Sequence, residues 1–309
     1  MPDARVALVT TGPRPEIATD HDLPPLLAAL HETGVAAESA AWDDPDVDWA
    51  GFDLVLIRST WDYTWRREAF LDWAERCARM TTLLNPPPVV RWSSDKFYLA
   101  RLAEAGVPAV RTRYLAPGAA VEPAAVLPAD HEYVIKPAVG AGARYAARYR
   151  AGDRDTALRH IGHMHAEGVT AMVQPYMARI ETGGERALVF LGGTFLHAVR
   201  KKAVLGTGVP FDHRKVAHPG LEPWVPTARE REVAERALAV VPHAEDVFYA
   251  RVDLVDDDAG RPVVMELELI EPNLFLFVRP ASLPVVAQAV AARARDARRA
   301  PGQPVAGHI

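Results

Sequence analysis

Two modes of strand connection follow one another along this chain, and the change between them limits the folds open to it. From Arg5 to Pro88, apolar runs of strand length alternate with amphipathic segments. RVALVTT is followed by DLPPLLAALHETGV, with Leu23, Leu26, Leu27 and Leu30 on one helical face and Gly34 as its stop. FDLVLIRST is followed by REAFLDWAERCARM, with Phe70, Trp73, Ala74 and Cys77 on one face, and then by TLLNPPPVV. Such alternation builds a small parallel α/β unit, because parallel strands need a crossover between them. Beyond the Pro86-Pro87-Pro88 block the pattern changes. SSDKFYLARLAEAGVPAV predicts a helix capped by Ser or Asp and running to Gly106, and the short β-runs TRYLA, EYVIK and RYAARY follow. DRDTALRHIGHMHAEG predicts a helix and TAMVQPYM a strand. The last third carries two hairpins, ERALVFLGGTFLHAVRKKAV turning at Gly192-Gly193 and FYARVDLVDDDAGRPVVMELELIEPNL turning at Gly260. Helices are expected over TAREREVAERALAVV and SLPVVAQAVAARARD. The expected class is α/β and α+β, in three units at residues 1–90, 91–175 and 176–309.

Composition narrows the partners. The 309 residues are 49% hydrophobic and 24% charged, which is the balance of a globular chain with a sizeable core. The single cysteine, Cys77, forbids an intrachain disulfide and fits a reducing cytoplasm. The start, MPDARVALVTT, is too short and too charged for a signal peptide, and no apolar run approaches the ~20 residues of a membrane span. A net charge of −5 argues against broad binding to nucleic acid. The Arg-rich tail AARARDARRAPGQPVAGHI reads as a helix end and a frayed terminus.

HEYVIKPAVGAGARY combines a strand, a lysine at its end and a glycine-rich segment. A lysine closing a buried strand is costly without a partner, and a flexible loop brings backbone N–H groups close to a ligand. Together they suit an anion such as phosphate; a snorkelling lysine before an ordinary hairpin turn fits the same residues. Neither GxxxxGK[ST] nor a GxGxxG after the first strand is present, which argues against a Walker nucleotide site and a dinucleotide oxidoreductase. His160, His163 and His165 are expected at an exposed helix end rather than on a metal.

The second hairpin carries the strongest chemical signal. Side chains alternate faces along a strand, so Asp253 shares one face with Glu266 and Glu268 while Met265, Leu267 and Leu269 take the other. With Val255 paired to Pro262, Asp253 lies opposite Val264 and diagonal to Glu266. Such a face is either solvated, with Arg251 interleaved, or bridged by Mg2+, which prefers oxygen ligands and shares its shell with phosphates. Glu271 and Asn273 add two oxygen donors. A phosphate loop and a magnesium cluster in one chain mean nucleotide chemistry.

In that order these motifs resemble the ATP-grasp carboxylate ligases, in particular the glutathione-synthetase-like and ribosomal-modification-ligase-like branch, over nearly the whole chain. The resemblance implies an ATP-grasp fold with an N-terminal parallel α/β domain, a central lid domain and a C-terminal antiparallel core. It implies ATP and Mg2+, with two ions, as cofactors. Lys96 and Lys136 become phosphate lysines and Gly140 and Gly142 the loop that folds over the triphosphate. Gln174, Pro175, Tyr176 and Met177 become the adenine hinge and Glu181 the ribose carboxylate. Arg200, with Lys136 and Lys201, becomes the cationic group at the reacting phosphoryl. Asp253, Glu266, Glu268, Glu271 and Asn273 become the metal set. The family usually ends its metal array in Glu-x-Asn, whereas this chain has Glu266-x-Glu268 and, further on, Glu271-x-Asn273.

Such ligases activate a carboxylate as an acyl phosphate, which an amine then attacks. A small amino-acid-like substrate is implied, with loops after the first-domain strands as its pocket. Asp20, Asp22, Arg58, Ser59, Thr60 and Asp62 are the candidates there, although Trp61 and Trp65 as packing anchors and Asp62 as a cap fit equally well. RKKAVLGTGVPFDHRKVAHPG covers the substrate or is a mobile surface loop. DHDLPPLLAAL, RSTWDYTWRREAFLDWAE and MELELIEPNLFL are most similar to O-ureido-serine cyclo-ligases, in which the attacking amine and the activated carbonyl lie in one molecule. An intermolecular amino-acid or peptide ligase is the alternative, and a non-catalytic nucleotide-binding regulator is the alternative from another class. Ligases of this kind are often dimers or tetramers, which leaves a homo-oligomer open.

Overall fold

The structure, a computed structural model, describes residues 4–12, 19–119, 126–212 and 220–299. The first sheet is parallel, in the order β2-β1-β3-β4, from β1 (Arg5–Thr10), β2 (Ala36–Ala41), β3 (Leu54–Ser59) and β4 (Thr82–Leu84). Strand alternation splits its side chains between two layers. Val6, Leu8, Leu54 and Leu56 pack with Leu26 and Leu30 of α1 (Leu23–Glu32), while Ala7, Val9, Val55 and Ile57 pack with Phe70, Trp73 and Cys77 of α2 (Arg67–Met80). Both faces of β1 and β3 are therefore buried, as a parallel sheet requires. Burial pushes the Cys77 thiol up to about 12.

The Pro86-Pro87-Pro88 block does not merely end this unit. It opens α3 (Pro87–Ser93), because prolines are tolerated in a first helical turn whose N–H groups have no partner. The helix expected from Ser93 onward starts later, as α4 (Tyr98–Glu104), since the Asp95 carboxylate accepts the Phe97 N–H and holds a turn there. The weak strand β2 and β11 (Leu221–Trp224) escape a reading by propensity, one being AAESAA and the other containing proline.

An antiparallel sheet in the order β5-β8-β6-β7 follows, from β5 (Arg113–Leu115), β6 (Tyr133–Pro137), β7 (Ala147–Tyr149) and β8 (Ala171–Pro175). It packs on Ala157, Ile161 and Met164 of α5 (Arg154–Ala166). His160 on this helix is not exposed, as its spacing suggested. It is 1% exposed, stacks on Phe211 at 4.1 Å and shares a hydrogen bond with the Tyr149 hydroxyl, and burial pushes it down to about 4. His163 is exposed and His165 bonds the Leu115 carbonyl.

The third sheet runs β11-β10-β9-β12-β13, with β9 (Glu185–Leu191), β10 (Thr194–Lys201), β12 (Tyr249–Asp256) and β13 (Pro262–Glu268). One face packs on α4 and on α7 (Ala228–Leu238), a helix capped by Thr227 and Glu230, which follows the short α6 (Ile180–Gly183). The last helix, α8 (Leu283–Arg299), returns to α1 and buries Val286, Val290 and Ala294 in the first unit's core. No helix among the described residues is long and apolar enough to cross a membrane.

Candidate active site

The site forms where β6, the loop after it and the β12–β13 hairpin face one another. On β6, Val134 lies opposite Gln174 and Lys136 opposite Met172 of β8. Lys96, Lys136, Gln174, Pro175, Tyr176 and Met177 line a pocket of about 130 Å3. Gln174 is fixed there by donating to the Thr112 hydroxyl at 2.8 Å. Burial depresses the Lys136 ammonium below its usual pKa, and the facing Glu266 opposes that shift.

The hairpin's register differs by one residue from the expected pairing. Asp256 pairs with Pro262 and Leu254 with Val264, and then a bulge inserts Met265, so that Asp253 lies directly opposite Glu266 and Arg251 opposite Glu268. A bulge re-aims side chains. Here Met265, expected to point the same way as Leu267, turns into the smaller pocket together with Glu266.

A second cavity, of about 420 Å3, adjoins the first and shares Lys96, Gly140, Glu185 and Glu266 with it. Glu268, Glu271, Asn273 and Arg251 also line it. Nearly every carboxylate in this region meets a cation. Lys96 Nζ lies 3.2 Å from Glu266, and Lys201 Nζ lies 2.7 Å from Asp253 and 2.6 Å from Glu185. Burial alone would raise Asp253, but Arg251 and Lys201 outweigh it and hold the carboxyl well below its usual range. Burial likewise opposes the Glu266 carboxylate, and Lys96 and Lys136 win. Glu268 and Glu271 go the other way. Burial pushes Glu268 up to about 7 despite Arg251, and burial with the neighbouring Glu268 pushes Glu271 up to about 8. Two carboxyl groups thus lack sufficient positive charge, and with Glu266 and Asn273 they line one cavity with oxygen donors, the ligand chemistry of a hard divalent cation. Their carboxylates are not gathered within 4.8 Å of one another; among the described residues His243, Glu245 and Asp246 are, at the exposed surface.

The glycine loop lies across both cavities. Gly140 is needed because a Cβ there would meet Pro137 Cγ at 2.7 Å, and Gly142 has φ +65°. Lys96 Nζ donates to the Gly140 carbonyl. Arg144 donates to the Trp61 carbonyl at 3.0 Å and to the Thr64 hydroxyl, and its guanidinium sits 4.1 Å from the Trp65 ring centre. The loop is thereby tied to the 3-10 segment Trp61–Trp65 of the first unit.

Several expected residues lie elsewhere. Arg200 pairs across the sheet with Arg186, on the face that packs on α7, while Lys201 pairs with Glu185 on the site face. Arg200 binds Glu222 and stacks on Trp224, outside both cavities. The arginines that line the cavities are Arg144 of the glycine loop and Arg251; Arg251 shares parity with Asp253, a relation present in the sequence as Arg-x-Asp. Asp253 itself is fully buried beneath the cavity wall, with Arg251 and Lys201 on its oxygens. Glu181 is half-exposed and engaged by Arg148 and the Tyr176 hydroxyl rather than lining the pocket.

None of Asp20, Asp22, Arg58, Ser59, Thr60 and Asp62 reaches the cavity lining. Arg58 is buried against Asp20 at 3.6 Å and Asp22 at 3.9 Å and donates to the Pro272 carbonyl at 3.1 Å. Asp22 accepts the Phe277 N–H at 3.1 Å. Asp62 accepts from Trp42 at 3.0 Å and from Arg66 at 2.7 Å. These groups support the wall, and Trp61, Tyr63, His21, Phe275 and Phe277 present its surface. Ala203, Val204 and Leu205 of the basic loop line the pockets, whereas residues 213–219 lie outside the described residues.

Comparison with known proteins identifies the chain's relatives. Residues 6–85 match the model of the N-terminal domain of D-cycloserine synthetase DcsG. The cycloserine biosynthesis protein DcsG of Streptomyces lavendulae is 36% identical over 307 residues, covering 93% of this chain and 98% of that protein. The crystal structure of D-cycloserine synthetase DcsG superposes with a TM-score of 0.83 at 35% identity, over 94% of this chain and 99% of the other. D-alanine–D-alanine ligase from Bacillus anthracis, solved with ATP, shares the fold with a TM-score of 0.66 at 15% identity, over 96% and 99% of the two chains.

Proposed function

Because this chain belongs to the DcsG family of ATP-grasp ligases, we infer that it drives an intramolecular C–N ring closure with ATP, converting O-ureido-serine to cycloserine. The observation that carries the reading is the shared wall of the two cavities. Lys96 and Glu266 border both, so a phosphoryl group held in one meets a carboxylate held in the other.

We assign ATP to the smaller pocket, with its base against Gln174, Pro175, Tyr176 and Met177 and its phosphates between Lys96 and Lys136 under the Gly140–Gly142 turn. The family's magnesium would be held by oxygens of Glu266, Glu268, Glu271 and Asn273 and would supply charge neutralisation at the phosphoryl group. Asp253 stands behind this set, orienting Arg251 and Lys201. The γ-phosphoryl passes to the substrate carboxylate and ADP leaves. The substrate's oxygen-bound ureido nitrogen then attacks the carbonyl carbon and gives up its proton; the new C–N bond forms, the C–O bond to phosphate breaks and phosphate departs. Water then cleaves the carbamoyl group from that nitrogen, releasing it as carbon dioxide and ammonia and leaving cycloserine. Arg251, rather than Arg200, is the fixed guanidinium for the negative charge that develops in these steps. The loop 138–144, anchored by Arg144, keeps water from the acyl phosphate. The substrate amino acid takes the cavity walled by Trp61, Tyr63, Phe275 and Phe277. The units 1–90, 91–175 and 176–309, a cytoplasmic location and a homo-oligomer complete the proposal.

Phosphate release measured with O-ureido-serine as sole substrate tests this. Turnover without an added amine, with a ring product by mass spectrometry, is the expected result. Turnover only after adding a second amine would assign an intermolecular ligase instead, and nucleotide binding without turnover would assign a regulator.

A further inference from the structure

The segment after β13 has no sheet partner, yet six consecutive carbonyls along it are each held by a side chain. Asn85 Nδ2 donates to the Leu269 carbonyl at 2.7 Å, the Tyr249 hydroxyl to Ile270 at 2.7 Å and Trp61 Nε1 to Glu271 at 3.2 Å. Arg58 donates to Pro272 at 3.1 Å, Arg251 to Asn273 at 3.2 Å and His197 Nε2 to Leu274 at 2.8 Å. Immediately after the last of these, Phe275 adopts φ +54°, which is rare for a bulky residue and persists only where surrounding contacts over-determine it.

The donors come from distant parts of the chain, with Tyr249 and Arg251 sharing β12. Arg251 and Trp61 line the cavity themselves. His197 does not; it is 2% exposed and lies on β10 with Val199 and Lys201 on one strand face. Val199 packs against Phe275, and Lys201 reaches Asp253. Because the Leu274 carbonyl can only accept, His197 carries its proton on Nε2, and Nδ1 accepts the Ser282 hydroxyl at 2.7 Å. Ser282 thus fixes the imidazole, the imidazole fixes Leu274, and Leu274 fixes the strained turn that delivers Phe275 to the cavity. The same rail carries Glu271 and Asn273.

We propose that this row of side-chain donors is a positioning device that sets Glu271, Asn273 and Phe275 in the cavity, and that His197 is a positioning residue at its far end. The proposal rests on the function inferred above for its kinetic consequence, and not for its structural one. Loss of the His197 donor frees a carbonyl next to a strained residue, and small displacements of this kind cost turnover steeply.

The test compares His197→Phe, which keeps a ring and loses both polar atoms, with His197→Gln, whose amide can donate to Leu274, and with Ser282→Ala. The full-length protein is used, with steady-state kinetics in ATP and O-ureido-serine and hydrogen–deuterium exchange of the peptide spanning 270–282. That peptide includes the Phe277, Val278 and Arg279 amides, which bond Asp22, Phe275 and Leu276. His197→Phe is expected to lower kcat by about tenfold or more with KM for ATP within about twofold, and to speed exchange of this peptide by about tenfold, with α2 unchanged. His197→Gln is expected to restore both to within about threefold, and Ser282→Ala to shift both in the direction of His197→Phe. Unchanged kcat and exchange in His197→Phe, or a Gln variant no better than Phe, overturns the proposal. If His197→Phe does not fold, Ser282→Ala decides: unchanged exchange there overturns it. If the wild-type protein shows no turnover, the functional reading fails and the exchange comparison alone decides this one.

Discussion

The Arg251 guanidinium lies across the carboxylate of Asp253, two residues along the same strand, with Nε 2.8 Å from one oxygen and Nη2 2.9 Å from the other. Lys201 completes the set at 2.7 Å, so one buried anion holds two cations that would otherwise repel. Removing one member of such a cluster leaves charge buried without compensation. Asp253→Asn is expected to cost about 3–5 kcal/mol in urea unfolding and to abolish turnover. Glu266, which is more exposed, is expected to cost much less stability as Glu266→Gln while still losing turnover.

Lys136 gives the opposite pattern. Burial depresses its ammonium, so the folded protein holds this charge at some cost. Lys136→Met is expected to leave the melting temperature unchanged or higher and to weaken magnesium-nucleotide binding at least tenfold, about 1.4 kcal/mol, measured by calorimetry. Wild-type binding and rate in this variant would remove the lysine from the site.

Gly140 tests the loop. A methyl group there collides with Pro137, so Gly140→Ala is expected to displace the loop and lower kcat at least tenfold without lowering the global unfolding midpoint. Gly162, which faces open space on α5, is the control, and Gly162→Ala is expected to leave kcat unchanged.

Much of this site was legible in the sequence because strand parity is local. The sharing of one face by Glu266 and Glu268, and by Arg251 and Asp253, follows from residues two apart, whereas Asp253 meets Glu266 through the register and its bulge; Lys201 lies on the site face of β10. The same rule puts Arg200 on the opposite face, which family resemblance obscured. The bulge at Met265 was not legible, because an inserted residue leaves no mark in an apolar run. Nor were the supporting roles of Asp22 and Arg58, whose partners Phe277 and Pro272 are more than two hundred residues away in sequence. Polar residues after a parallel strand suggest a ligand pocket, yet the same residues satisfy the backbone of a distant segment equally well.

His160 and His197 should make the protein sensitive to acid. Burial lowers both from 6.5 to about 4, with His163 adding to the shift at His160 and Arg279 to that at His197. Between those values the unfolded chain binds protons that the folded one does not, so stability is complete above pH 6.5 and falls as pH drops toward 4. The melting temperature is expected to fall over this window, and His160→Gln to reduce the difference between pH 7 and pH 5. An identical difference in the variant would assign the acid sensitivity to other groups.

The central claim is that fixed cations and the hairpin carboxylates together hold a magnesium nucleotide. Calorimetric titration of a non-hydrolysable ATP analogue into the full-length protein, with and without magnesium, tests it most directly. Saturable one-to-one binding that requires magnesium and is lost in Glu266→Gln is the expected result. Absence of binding heat with magnesium present, or equal binding without it, would contradict the account.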